Sequence, residues 1–149
     1  MKVKELMIGD WMQFADGNKK CTVIAIKCDA RYLEDEAIIT VMDRSGHWFD
    51  REMDYLKPIP LTGEILENNG FREDDKGFGH KCYLCAVPYG TGDDDDYAYL
   101  SLTDFGKYWQ MEVSLVVSGT QTNIPNCCVH HVQHMLTLLG IDLEIKLEK

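Results

Sequence analysis

The stretch from Asn126 to Leu147 constrains the fold most, because it joins a full helix signal to a stop and then to a strand signal. Val129, Val132, Leu136 and Leu139 recur at the alternating three- and four-residue spacing of a buried helical stripe, with Met135 beside them. Asn123 or Asn126 can cap the start and Pro125 suits a first turn, so the pattern predicts a helix over 124–139. Gly140 stops it. Ile141, Leu143 and Ile145 then alternate with Asp142, Glu144 and Lys146, which predicts a half-buried closing strand over 141–147. A helix with one apolar stripe needs a surface to lie on, and the rest of the chain has to supply a sheet.

The first sixty residues carry strand signals and no helix signal. Trp11 to Phe14 is a short strand closed by the turn Ala15-Asp16-Gly17-Asn18. Residues 21–28 place Val23 and Ala25 on one face and Ile24 and Ile26 on the other, as a central strand would. Residues 37–42 form a β-branched run, and Asp43-Arg44-Ser45-Gly46 turns it into a fourth strand over 47–50. Four or five short strands with tight turns predict a small SH3-like β-barrel over residues 1–61.

Lys57-Pro58-Ile59-Pro60-Leu61-Thr62 marks the boundary, because two prolines two apart forbid helix and disfavour ladder pairing. Thr62 can cap a short helix over 63–69 that Gly70 ends. Strand-like runs follow over 81–87, 97–103 and 108–117, with residues 90–96 as a hairpin loop. Leu100 and Leu102 should face inward, and Tyr97, Tyr99 and Ser101 outward. The expected class is α+β: the barrel, then over residues 62–149 an antiparallel sheet carrying one main helix.

Charge and cysteine usage narrow the partners. No apolar run approaches the ~20 residues of a membrane span, and the first residues lack the apolar core of a signal peptide. A cytoplasmic address follows, with the six cysteines read as thiols. The net charge of −10 divides into −2 over residues 1–61 and −8 over residues 62–149. Phosphate binding needs a basic patch, so nucleic acid is a poor partner for the second part. A protein partner, or a second copy of the chain in a homodimer, fits better.

Several short motifs occur in a fixed order: Leu6-x-Ile8-Gly9-x-Trp11, the Lys57–Thr62 segment, Asn69-Gly70-Phe71, Val129-His130-x-Val132-Gln133 and Gly140-x-x-Leu143-x-Ile145. In that order the chain resembles a family of small Bacteroidetes proteins of unknown activity, often encoded in prophages and other mobile elements. The resemblance implies a cytoplasmic accessory protein and carries over no catalytic residue. It covers both ends and the boundary but not the middle. Where the family helix has one histidine followed by Gln and Asn, this chain has His130, Gln133 and His134 and adds His131 and the Cys127–Cys128 pair.

Four features could carry chemistry. On a helix over 124–139, Cys127, His130, His131 and His134 share an arc of about 100° opposite the apolar stripe, the ligand types zinc favours. Cys82 and Cys85, with His80 near, could complete the set, but in a strand residues three apart point to opposite faces. The competing reading is a polar helix face, with Cys82, Cys85 and Cys128 as small core residues. Cys127 or Cys128 with His130 or His131 would make a thiol nucleophile, yet no oxyanion-hole motif accompanies them. Asp93 to Asp96 lacks the alternation of a calcium loop and reads as a solvated hairpin tip.

The aromatics Trp11, Trp48, Phe49 and Tyr55 fall on or near the small barrel, and such residues anchor protein interfaces when they are not core. The leading expectation is a non-enzymatic interaction protein using these four. A zinc-binding domain or metal-dependent enzyme built on Cys127, His130, His131 and His134 is one alternative. An acidic protein that imitates DNA is another, motivated by the −8 of the second part.

Overall fold

The computed structural model describes residues 5–27, 37–75, 79–88, 97–114, 119–141 and 143–147. Cys28, the 90–96 hairpin loop and the run Asp93 to Asp96 lie outside the described residues. The chain divides into two compact units, residues 1–59 with 128–130, and residues 60–127 with 131–149.

The first unit is one antiparallel sheet of β1 (Trp11–Phe14), β2 (Lys20–Lys27), β3 (Ile38–Asp43), β4 (Trp48–Glu52) and β5 (Leu56–Pro58). Their order across the sheet is β4-β3-β2-β1-β5. A 3-10 turn, Met53–Tyr55, carries the chain from β4 to β5, whose partner is β1. One face buries Leu6, Met12, Cys21, Val23, Ile39, Val41 and Leu56, with Phe14, Ile26 and Phe49 packed against them. A shift in register between Val23 and Ala25 marks a bulge in β2.

The second unit is a meander of β6 (Arg72–Asp75), β7 (Lys81–Pro88), β8 (Tyr97–Asp104), β9 (Tyr108–Ser114) and β10 (Gly119–Pro125), neighbours in sequence being neighbours in the sheet. α1 (Gly63–Asn68) precedes it, and the Thr62 hydroxyl caps α1 by accepting from the Ile65 N–H at 3.3 Å. Leu100, Leu102, Met111 and Val113 alternate inward and are buried. α1 packs so closely on β7 that a Cβ on Gly63 would overlap the Tyr83 ring, with Cζ at 2.6 Å. Only glycine fits there. α2 (Val129–Leu138) has its first two residues in the first unit and the remainder in the second.

Four expectations are corrected. The chain is mostly β, with ten strands against two helices among the described residues, rather than balanced α+β. No closed SH3-like barrel is found: among the described residues β4 and β5 do not pair, so the first sheet has two edges. The edge strand β4 bears Asp50, Arg51 and Glu52, charges that keep an edge solvated instead of paired. Strand count and turn spacing are local, whereas closure depends on where the first and last strands end up.

The helix over 124–139 is shorter than expected, because residues 119–125 pair with β9 and Asn126 turns with a left-handed φ of 49°. Among the described residues the closing strand over 141–147 does not form. Residues 141 and 143–147 have no ladder, although Ile141 and Ile145 are buried as the alternation implied, with Leu143 half-buried and Leu147 buried beside them.

Candidate functional site

Directly opposed residues of an antiparallel pair project to the same side, so register alone builds the outer face of the first sheet. Trp11 lies opposite Thr22, Thr22 opposite Met42, and Met42 opposite Trp48. The two tryptophans therefore sit in one row, three strand spacings or about 14 Å apart. The next row is Ala25, Thr40 and Asp50. This face lies opposite the buried Val41 and Ile39, and it would be polar in an ordinary two-faced sheet.

Here it is mainly apolar at its centre. Ile24, Ala25, Met42 and Trp48, with Lys27, Thr40 and Asp50, line an open concavity of about 770 Å³, which Phe49, paired with Val41 and packed against the buried face, borders at the edge strand. Trp48 is 70% exposed, far more than a tryptophan packed in a core. The bulge in β2 brings Ala25 onto this face next to Ile24, because the register shifts between Val23 and Ala25 and leaves Ala25 opposite Thr40.

One rim is polar. The Lys27 ammonium donates to both Asp50 carboxylate oxygens at 3.2 and 3.0 Å, and the Thr40 hydroxyl donates to Asp50 Oδ1 at 2.6 Å. The Thr40 hydrogen bond, and after it Lys27, hold the Asp50 carboxyl below its usual range. Lys27 and Asp50 are both well exposed, so the pair is a directional polar edge more than a source of stability.

Phe49 has a second neighbour set. Its ring meets Phe14 edge-on at 5.9 Å, and the Arg51 guanidinium lies 5.1 Å from its centroid and 5.9 Å from that of Phe14. A smaller cavity of about 160 Å³ opens there, lined by Phe14, Asp16, Lys19, Asp43, Phe49, Arg51 and Tyr55. Tyr55 is exposed at its mouth.

Of the four aromatics expected at a partner site, Trp48 thus lines one concavity, with Phe49 at its border, and Phe49 and Tyr55 line the other. Trp11 shares the Trp48 row but is half-buried. Ile24, Met42 and the Thr40–Asp50–Lys27 group escaped sequence reasoning. The bulge moves Ala25 to the outer face beside Ile24 and Ile26 to the inner face, against the simple alternation expected over 21–28, and nothing in the local pattern announces it.

The metal-type residues fare differently. Cys127 precedes α2, where its carbonyl accepts from the Leu61 N–H at 3.1 Å, so it is not on a helical arc with the histidines. Cys127 and His130 are buried, and His131 and His134 are half-buried. Cys82 is buried and within 3.2 Å of the Ser101 hydroxyl, while His80 stacks on Phe105 with ring centroids 4.5 Å apart. Among the described residues no group of three or more His, Cys, Asp or Glu side chains is placed to hold a metal ion. Burial raises the Cys128 thiol pKa, the opposite of what an activated nucleophile needs. No disulfide forms among the described cysteines.

Among the described residues no helix is long and apolar enough to cross a membrane. Compared with known proteins, the chain matches no family model, no curated protein and no solved structure.

Proposed function

We propose that this is a non-enzymatic, cytoplasmic interaction protein that grips a partner protein on the outer face of its first sheet. The observation that carries this reading is Trp48, 70% exposed on the wall of an apolar concavity whose rim is a fixed Lys27–Asp50 pair. Tryptophan is enriched among the residues that dominate binding energy at interfaces, and here it stands beside a contiguous apolar concavity. Ile24, Ala25 and Met42 offer an apolar floor, so the partner contributes an aliphatic or aromatic side chain. The rim supplies both a donor and an acceptor to align the partner's backbone or a polar neighbour. The ordered motifs that resemble mobile-element proteins support an accessory role of this kind.

A displayed library of random peptides, selected on the whole protein and then counter-selected on Trp48→Ala, tests the reading. Expected are peptides with a shared apolar anchor whose affinity falls by roughly thirtyfold in the variant, or about 2 kcal/mol. Peptides that bind both proteins alike, or a selection that yields none, would overturn it.

A further inference from the structure

Outside the sheets, one side chain makes an unusual set of contacts within the second unit. Asn69, the residue after α1, donates from Nδ2 to the Ile65 carbonyl at 2.7 Å and to the Lys146 carbonyl at 2.6 Å. Its Oδ1 accepts from the Lys146 N–H at 2.6 Å. The side-chain amide therefore satisfies both backbone groups of Lys146, the work a neighbouring strand would otherwise do. Residues 143–147 have no ladder of their own, yet Ile145 is fully buried and Leu147 nearly so. A segment that buries alternate side chains without a strand partner needs its backbone fastened somewhere, and Asn69 fastens it.

The residue after Asn69 is Gly70, which has a left-handed φ of 85° and no Cβ to shield its N–H. An Asn–Gly pair is the sequence in which a backbone nitrogen most easily attacks the preceding side-chain amide. Gly70 N gives its proton to solvent base and bonds to Asn69 Cγ. The Cγ–Nδ2 bond breaks, and the –NH2 group takes a proton from water as it leaves as ammonia. Water then opens the resulting cyclic imide to aspartate or isoaspartate.

In the closed arrangement both reacting groups are engaged, because Gly70 N–H donates to the Glu67 carbonyl at 3.2 Å and Nδ2 is held twice. Opening exposes them. The product carboxylate has no donor to offer, and it would face two carbonyl oxygens where an amide NH2 now sits.

We propose that Asn69 is a latch holding residues 143–147 against α1, and that Asn69–Gly70 is a deamidation site whose conversion opens this latch irreversibly. The proposal is independent of the partner face on the first sheet.

Amide hydrogen exchange on the full chain tests the latch. In Asn69→Asp and Asn69→Ala the amides of residues 143–147 should exchange at least about tenfold faster, the scale of losing hydrogen bonds to one side chain. Exchange in β7–β9 should stay as it was, which separates an open latch from a failed fold. Unchanged exchange at Lys146 in both variants would overturn the latch. Ageing of the unmodified protein at mildly alkaline pH, followed by peptide mass analysis, tests the modification. The expected product is an acid at residue 69, confined to molecules with the fast-exchanging segment. An intact Asn69 after ageing that deamidates the urea-unfolded chain, or deamidated molecules with slow exchange, would overturn it.

Discussion

The two five-stranded antiparallel sheets of this protein differ in what they turn outward. The first presents Trp48, Met42, Ile24 and Ala25 around a concavity. The face of the second that carries Tyr99 instead has polar rows: Ser101, Glu112 and Gln121, then Thr103, Gln110 and Asn123, of which Gln121 and Asn123 are exposed and Ser101 is buried. Gln110 donates to Asn123 across one of these rows at 3.1 Å, so part of that polarity is spent within the sheet. Strand count and pairing are alike, and inward residues are apolar in both. What separates a surface able to grip a protein from one content with water is the identity of a few outward positions, and the bulge that re-aims one of them.

The largest effects should come from what the sheets share. Ile39→Ala in the first and Leu102→Ala in the second remove fully buried side chains and should each cost about 3 kcal/mol. Urea unfolding checks this, and a loss under ~1 kcal/mol at either site would mean a loosely packed core.

Alkali should weaken both sheets next, through Cys21 in the first and through Cys85 and Tyr83, also raised by burial, in the second. Burial, aided by the nearby Asp43 charge, pushes the Cys21 thiol pKa from 9.0 to about 11, so the folded state keeps a proton that the unfolded chain releases. That contribution, on the order of 2 kcal/mol, is fully present below pH 9 and is lost as pH rises towards 11. Cys21→Ala should flatten the decline between those pH values, read as unfolding free energy against pH. An unaltered decline would place the titrating group elsewhere.

Gly63→Ala probes a contact that only the second unit has, the ring of Tyr83 lying on α1. The methyl should cost about 1–3 kcal/mol as overpacking. Tyr83→Leu in the same background should return part of it, and thermal melts of the four proteins close the cycle.

The smallest effects sharpen the functional contrast. Lys27→Ala breaks an exposed pair and should change stability by less than ~1 kcal/mol while weakening any peptide that uses the rim. Acid should loosen the same rim only below the ordinary carboxylate range, because the Asp50 pKa is lowered. Trp48→Ala and Tyr99→Ala both remove exposed rings, and each should move stability by no more than ~0.5 kcal/mol. Only the first should weaken peptide binding, by roughly thirtyfold. Equal loss from Tyr99→Ala would erase the distinction between the two faces.

Much of this was legible in the chain. Alternation in 97–103 put Leu100 and Leu102 inward, Thr62 announced the start of α1, and the tight turns divided the first sheet into its strands. Such features depend on neighbours a few residues away. The polar β10 and the charged β6 escaped notice, since Thr-Gln-Thr-Asn and Arg-Glu-Asp-Asp owe their strand state to partners across the sheet. The candidate site was half legible: the aromatics could be named, but not which of them would share a concavity.

By itself, then, the sequence determined the inward leucines of 97–103, the Thr62 cap of α1 and most of the residues that would seek burial, because period and capping act locally. The tertiary structure alone decided three things. It left the first sheet open at β4, put Trp11, Met42 and Trp48 in one row, and tied residues 143–147 to Asn69 instead of to a strand. Each depends on register between segments far apart in the chain, and a one-residue shift would have sent the same side chains to the opposite face.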